Sequence, residues 1–185
     1  IVGTVSAHRG IDILDNTLYA TGDLGENLAT KMEILFQYLK LLFLPWPLSW
    51  DYSFAQLPVM NWSDVLPWAS LVIHAGLLLI AILLWKKQPS VAFFILFYFI
   101  CSAPTNNFFF NNGATVAERF LFVPSFGYAL LLGWGVYQLL SRYQPDLKKA
   151  TNYYRITIGI IALIYCFIIS SRIPDWSSNM RLFES

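Results

Sequence analysis

Charged residues are so widely spaced along this chain that they cut it into long apolar runs. Residues 65–85 form an uncharged stretch bounded by Asp64 and Lys86. A helix crossing the hydrocarbon core needs about 20 mostly apolar residues, so this run reads as a span. Residues 90–104 form a shorter run closed by Pro104, residues 119–141 a third that ends before Arg142, and residues 155–172 a fourth that is dense in isoleucine. Residues 27–45 follow another pattern. Glu33, Gln37 and Lys40 recur at i, i+4 and i+7, and Leu35, Leu39 and Leu42 line the opposite side. That is the period of an amphipathic helix; Pro45 and Pro47 stop it. The pattern predicts an all-α polytopic transmembrane bundle of about four spans plus one interfacial or re-entrant helix. A fifth span over 27–45 is the alternative, and it would put residues 1–26 in the cytoplasm.

Basic residues orient the spans, because they are retained on the cytoplasmic side. Lys86 and Lys87 separate the first two spans, and Arg142, Lys148, Lys149 and Arg155 separate the last two. Both loops are therefore expected in the cytoplasm. Residues 1–63, the loop 105–117 and the tail 173–185 then fall outside, with residues 64–172 forming the membrane bundle.

Composition narrows the class further. Hydrophobic residues make up 57% of the 185 and charged residues only 12%, about half the charge of an ordinary soluble domain. A lone soluble domain is excluded on that ground, and the 17% aromatic content excludes intrinsic disorder. A net charge of +1 gives no footprint for nucleic acid. Cys101 and Cys166 sit inside apolar runs and read as buried small hydrophobes. The first nine residues lack the basic start and apolar core of a signal peptide, so the chain is expected to be an internal piece of a longer one.

Chemistry is sparse and concentrated on the expected outer side. Trp46, Trp50, Tyr52, Trp62 and Trp68 crowd one region, as rings at a membrane boundary do; Asp51 and Tyr52 among them are candidate binding residues. Asn106, Asn107, Asn111 and Asn112 share a loop with Phe108, Phe109 and Phe110, and Gly113 permits a tight turn there. Glu118 and Arg119 then stand at the outer mouth of the third span. A cation at a helix N-terminus opposes the macrodipole, so Arg119 must gain its stabilisation from a carboxylate or from a phosphate that matches its guanidinium fork. An ion pair or a snorkelling side chain is the competing reading. His74, inside the first span, is expected to be a hydrogen-bonded helix contact, and with no second ligand at helical spacing no metal site is expected. Asn61-Trp62-Ser63 fits a glycosylation sequon. Ala129 and Gly133, with Gly127 and Gly135 nearby, let another helix approach the third span.

The string from Asn111 through Gly113-Ala114-Thr115-Val116-Ala117-Glu118-Arg119-Phe120 to Pro124-Ser125-Phe126-Gly127 resembles a motif of the transmembrane and tetratricopeptide-repeat proteins, Gly-Thr-x-x-Ala-Glu-Arg followed by Pro-Ser-x-Gly. Asp15-Asn16, the element Pro45-Trp46-Pro47-Leu48-Ser49-Trp50-Asp51-Tyr52-Ser53, and Asp175-Trp176 with Asn179 and Leu182-Phe183 resemble further landmarks in the same order. Thr17 departs from the pattern, which has proline there. The resemblance implies the C-terminal part of the membrane domain of a GT-C type, protein O-mannosyltransferase-like enzyme. Such an enzyme takes a mannose-like sugar from a polyprenyl-phosphate donor to protein Ser or Thr, with membrane lipid and a protein acceptor as partners and no cofactor. The acidic residue that serves as its base would lie upstream and its repeats downstream, so this piece alone would be inactive. Arg119, Glu118, Asn112, Asp51 and Tyr52 are the expected substrate-binding residues, with Arg119 meeting the donor phosphate and Glu118 orienting it. The Asn- and Phe-rich loop points to a bacterial cytoplasmic membrane in preference to the endoplasmic reticulum. A non-catalytic anchor presenting repeats to partners is the alternative function. A lipid-linked oligosaccharide polymerase or flippase ranks below both, because His74 is the one ionisable group deep in a span besides tyrosines and cysteines.

Overall fold

Asp23 fixes where the first helix begins. Its side chain accepts from the Glu26 amide at 2.8 Å while the Glu26 carboxylate accepts from the Gly22 amide at 2.6 Å. The first bond satisfies an amide that the helix itself leaves unpaired, and the second ties the residue ahead of the cap to the first turn. The computed structural model describes residues 16–46, 52, 57–109, 111–144 and 146–174. Its helices are α1 (Leu24–Phe43), α2 (Val65–Leu84), α3 (Pro89–Ser102), α4 (Pro124–Tyr143) and α5 (Leu147–Arg172), with single 3₁₀ turns at Thr17–Ala20 and Glu118–Leu121. Among the described residues there is no strand. The chain divides into two units, Ile1–Gly127 and Tyr128–Ser185.

Prolines and caps set the other boundaries. Pro89 and Pro124 occupy the first positions of α3 and α4, where a missing N–H costs nothing. α3 stops at Ser102, two residues before Pro104. The third apolar run was expected to turn helical at 119; the helix begins at Pro124 instead, and residues 118–121 form a tight turn ahead of it. α5 begins at Leu147, eight residues ahead of the apolar run, because Asp146 accepts from the Lys148 and Lys149 amides at 2.9 and 3.3 Å. The helix and the span are thus different objects at this end: about two turns are polar before the apolar stretch.

Among the described residues two helices, Val65–Leu84 and Leu147–Ser171, are long and apolar enough to cross a membrane. The 14 residues of α3 reach about 21 Å, short of a hydrocarbon core of about 30 Å. α4 has the length but is diluted by Gly127, Gly133, Gly135, Tyr137 and Gln138. The described residues are therefore helical without strands, and α2 and α5 have the length and composition of membrane spans.

In the first unit α1 packs on α2, α2 packs on α3, and both 3₁₀ turns pack on α1. The polar stripe of α1 is not uniformly on the surface. Glu33 is 2% exposed, beside Ile34, Leu35 and Tyr38, which are also buried, whereas Gln37 and Lys40 are partly exposed. Between α2 and α3, His74 is held by the Ser70 carbonyl at 2.8 Å and lies 3.5 Å from the Tyr98 hydroxyl, as a helix contact rather than a ligand. Where the chain enters α4, a Cβ on Gly127 would stand 2.9 Å from the Phe94 carbonyl oxygen. The close approach expected of the small residues occurs at this glycine.

In the second unit, Tyr137 and Tyr154 meet edge to face at 5.7 Å, and the Tyr128 and Tyr165 hydroxyls lie 3.4 Å apart. The apolar window of α5 has no buried residue. Cys166 is exposed there, and Cys101 on α3 is half-buried. The expectation that both thiols are buried fails because each sits on an outward face of its helix.

Candidate functional site: a hydrogen-bonded loop between two helices

The loop between α3 and α4 is organised around Asn107. Its backbone has φ of 59°, in the left-handed region that asparagine tolerates better than other residues with a Cβ. Its side-chain oxygen accepts from the Asn112 amide at 2.6 Å and from Asn16 Nδ2 at 3.1 Å. Its Nδ2 donates to the Ala114 and Thr115 carbonyls at 2.9 and 2.8 Å. Every donor and acceptor of this amide is in use, as a fully buried amide requires.

Asn16 ties a distant segment to this point. Its Nδ2 also donates to the Asn112 carbonyl at 2.7 Å, while its Oδ1 accepts from the Leu18 amide at 3.0 Å and caps the first 3₁₀ turn. Next to it, the Thr17 amide donates to Thr115 Oγ1 at 2.9 Å and the Thr17 hydroxyl donates to the Leu57 carbonyl at 3.0 Å. The departure at Thr17 thus has a structural meaning: a proline there would have no N–H to give Thr115.

α1 holds the same loop from below. The Tyr38 hydroxyl donates to the Thr105 carbonyl and accepts from the Ala117 amide, both at 3.4 Å. Lys31 Nζ donates to the Phe108 carbonyl at 3.3 Å, and Thr30 Oγ1 accepts from the Met60 amide at 3.0 Å. Burial lowers the Lys31 ammonium below its ordinary range. Glu33, on the same helix, takes one hydrogen bond from Gln37 at 2.8 Å through Oε1, while its buried Oε2 has none. Burial pushes its carboxyl above the usual range, against the opposing pull of the Gln37 hydrogen bond and the Lys40 charge.

The expected site residues fall around this scaffold. Arg119 is exposed on the Glu118–Leu121 turn, with its guanidinium 5.2 Å from the centre of the Phe120 ring. That ring contact stabilises the cation without covering it. Glu118 beside it is half-buried. The Tyr52 amide donates to the Val116 carbonyl at 3.2 Å, which brings the Tyr52 segment to the strand of loop leading into Glu118 and Arg119. Asn112 is half-buried and committed to the scaffold: its Nδ2 donates to the Pro104 carbonyl at 3.3 Å. Asp51 lies outside the described residues. Reasoning from sequence missed Tyr38, Thr115 and Glu33. For Tyr38 and Glu33 the available signal was weak, since each is one of many residues on an amphipathic helix. For Thr115 the signal was its place in the string running from Asn111 to Gly127, which pointed to chemistry and not to packing. Among the described residues there is no cluster of His, Cys, Asp and Glu able to hold a metal ion.

Over 73 residues, or 40% of this chain, the sequence is 34% identical to Protein O-mannosyl-transferase Tmtc3 of Drosophila melanogaster. The match covers 8% of that protein's length. No family model matches the chain, and no solved structure matches it. The similarity is to an animal protein, so the bacterial expectation drawn from the Asn- and Phe-rich loop finds no support in it.

Proposed function

We propose that this chain is part of the membrane domain of a glycosyltransferase that uses a polyprenyl-phosphate sugar and modifies Ser or Thr of proteins. The observation that carries this reading is the 34% identity over 73 residues to a fly protein O-mannosyl-transferase. The outer loop supports it chemically. An exposed guanidinium stands on a turn whose approach is fixed by Tyr38 and Asn107, so its position is set by the scaffold and its charge is left available.

In this proposal the acceptor hydroxyl oxygen forms a bond to the sugar's anomeric carbon as the bond from that carbon to the phosphate oxygen breaks. The hydroxyl proton passes to a base supplied from outside this chain. Negative charge grows on the departing polyprenyl phosphate, and Arg119 meets it with two parallel N–H donors. Tyr52 and Asp51 border the donor groove, and Glu118 orients the arginine. On this reading the loop lies at a bilayer surface, where the lipid carries its phosphate, and the apolar helices support that location. The animal relative favours an endomembrane such as the endoplasmic reticulum, with the loop on the lumenal side.

The test uses the full-length protein carrying Arg119→Ala, assayed for mannose transfer from polyprenyl-phosphate mannose to a Ser/Thr peptide. Transfer is expected to fall by about 10²–10³-fold, the loss typical of removing one donor to a developing anion. Membrane insertion should be unchanged, and Arg119→Lys should restore part of the activity through its point charge. Undiminished transfer by Arg119→Ala would remove this residue from the mechanism. A wild-type protein that transfers no sugar but retains partners through downstream repeats would establish the anchor reading instead.

A further inference from the structure

The turn between α2 and α3 joins an apolar groove to a pair of cations. Trp85 caps α2, Lys86 and Lys87 follow, and Pro89 starts α3. The turn is ordered: the Gln88 amide donates to the Leu84 carbonyl at 2.8 Å, and the Gln88 carbonyl accepts from the Val91 amide at 3.1 Å. Two cavities flank Trp85. One, of about 580 Å³, is lined by Trp85, Phe93, Leu96, Phe97 and Ile100, with Pro89 and Cys101 at its edges. The other, of about 480 Å³, takes in Ile82, Trp85, Lys86, Lys87 and Leu96. Both include Trp85 and Leu96, so the apolar groove runs on to the two lysines.

We propose that this hairpin binds one anionic phospholipid, with an acyl chain along Phe93, Leu96, Phe97 and Ile100 and its phosphate between Lys86 and Lys87. The proposal requires only that the hairpin lie in a bilayer and does not depend on the transferase reading. Lipid tails are as apolar as these side chains, so the groove alone selects no lipid over its neighbours; it supplies shape. Selection comes from the two ammonium groups at the end that the positive-inside rule puts on the cytoplasmic face, where anionic lipids are abundant. Trp85, 58% exposed between the two parts, suits the boundary of acyl chain and headgroup. A packed helix would answer only the groove, and a free phosphate only the lysines. A phospholipid joins both complements in one molecule.

The second unit supplies a control. Lys148, Lys149 and Arg155 gather at the start of α5 around a cavity of about 500 Å³ whose other lining groups are Thr151, Asn152 and Leu147. That place has more cations and no aromatic groove for a chain. It should attract anionic lipid through charge without retaining it through shape.

The experiment reconstitutes the chain in phosphatidylcholine vesicles containing a minor fraction of phosphatidylglycerol or phosphatidylcholine with a photoreactive diazirine on its acyl chain, and maps adducts by peptide mass spectrometry. Adducts are expected on the peptide holding Phe93 to Ile100, several-fold more with phosphatidylglycerol. Lys86→Gln with Lys87→Gln should remove that preference and bring the two lipids toward parity. Lys148→Gln with Lys149→Gln should leave the α3 adducts unchanged. Equal labelling by both lipids would overturn the proposal, as would an effect of the second pair as large as that of the first, which would mean general surface attraction. Absence of adducts on α3 would overturn it too, by showing the groove taken by protein.

Discussion

The loop around Asn107 in the first unit and the long helix of the second represent two ways of specifying structure. At Asn107 a single buried amide satisfies four partners drawn from residue 16 and from residues 112–115. In α5 the apolar window has no buried residue, and a large hydrophobic such as Phe167 is 77% exposed. The loop is fixed by particular atoms in particular places. The helix needs only local backbone hydrogen bonds and enough apolar length, because a hydrocarbon solvent makes few demands on side-chain identity. Substitutions should therefore be severe in the loop and mild on the helix, and the exposed Arg119 depends on the loop to hold its place.

The largest effect is expected from Asn107→Ala. It leaves the Asn112 amide, Asn16 Nδ2 and the Ala114 and Thr115 carbonyls without this partner. It also puts a residue less tolerant of the left-handed region at φ of 59°. Orphaned buried groups cost about 1–3 kcal/mol each, and partial relaxation should leave a net loss of about 3–5 kcal/mol. Hydrogen exchange is the sharper readout. Amide protection should collapse at Asn112 and Thr17 and persist in α5. Loss of protection spread equally over α5 would break the contrast.

Glu33→Gln should act in the opposite direction. The buried carboxyl titrates above its ordinary 4.5 because desolvation disfavours the charged form. The native state then holds its proton more tightly than the unfolded chain does. The stability this group contributes is full below pH 4.5 and is lost as the pH rises through the higher native value. An amide keeps a partner for Gln37 and has no charge to desolvate. Near neutral pH the variant should gain about 1 kcal/mol or less, because the amide Nε2 that replaces the unpartnered Oε2 is itself left without an acceptor and offsets part of the relief. Denaturant unfolding in detergent, followed from acidic to alkaline pH, should show a flatter profile than wild type. A variant less stable than wild type at neutral pH would mean that the carboxylate has a partner it needs.

These residues also mark how far sequence reading reaches. α2 is legible because Asp64 and Lys86 bracket a run long enough to cross a bilayer, and the end of α3 is legible because its apolar run is closed by Pro104, which lacks the N–H to continue a helix. The start of α4 was misplaced because absence of charge was used as its marker, whereas a proline at the first helical position sets it. The helical period of α1 was visible, but period alone does not say which stripe is covered; α2 and the loops together enclose Glu33 as well as Ile34. Four asparagines in one loop announced a turn, yet nothing local distinguishes Asn107, whose partner Asn16 lies 91 positions away. The same holds for Tyr52 and Val116, which meet through the backbone across a long stretch of chain. Charge, length and proline are written locally; pairing across the chain is not.

The smallest effect belongs to the helix side of the contrast. Leu163 is 70% exposed in the apolar window of α5. In water, removing such a side chain from a surface could even improve stability; in a bilayer it exchanges one apolar contact with lipid for another. Leu163→Ala should therefore change unfolding free energy by less than about 0.5 kcal/mol, as substitutions away from packed or hydrogen-bonded features do. Ala is also the better helix former, by a few tenths of a kcal/mol. The measurement is unfolding of the variant in lipid nanodiscs beside Asn107→Ala under the same conditions. A loss of about 2 kcal/mol or more would have the size of a buried core truncation. It would mean that Leu163 meets protein and not acyl chain, and that this face of α5 is an interface whose side chains are as closely specified as the loop's.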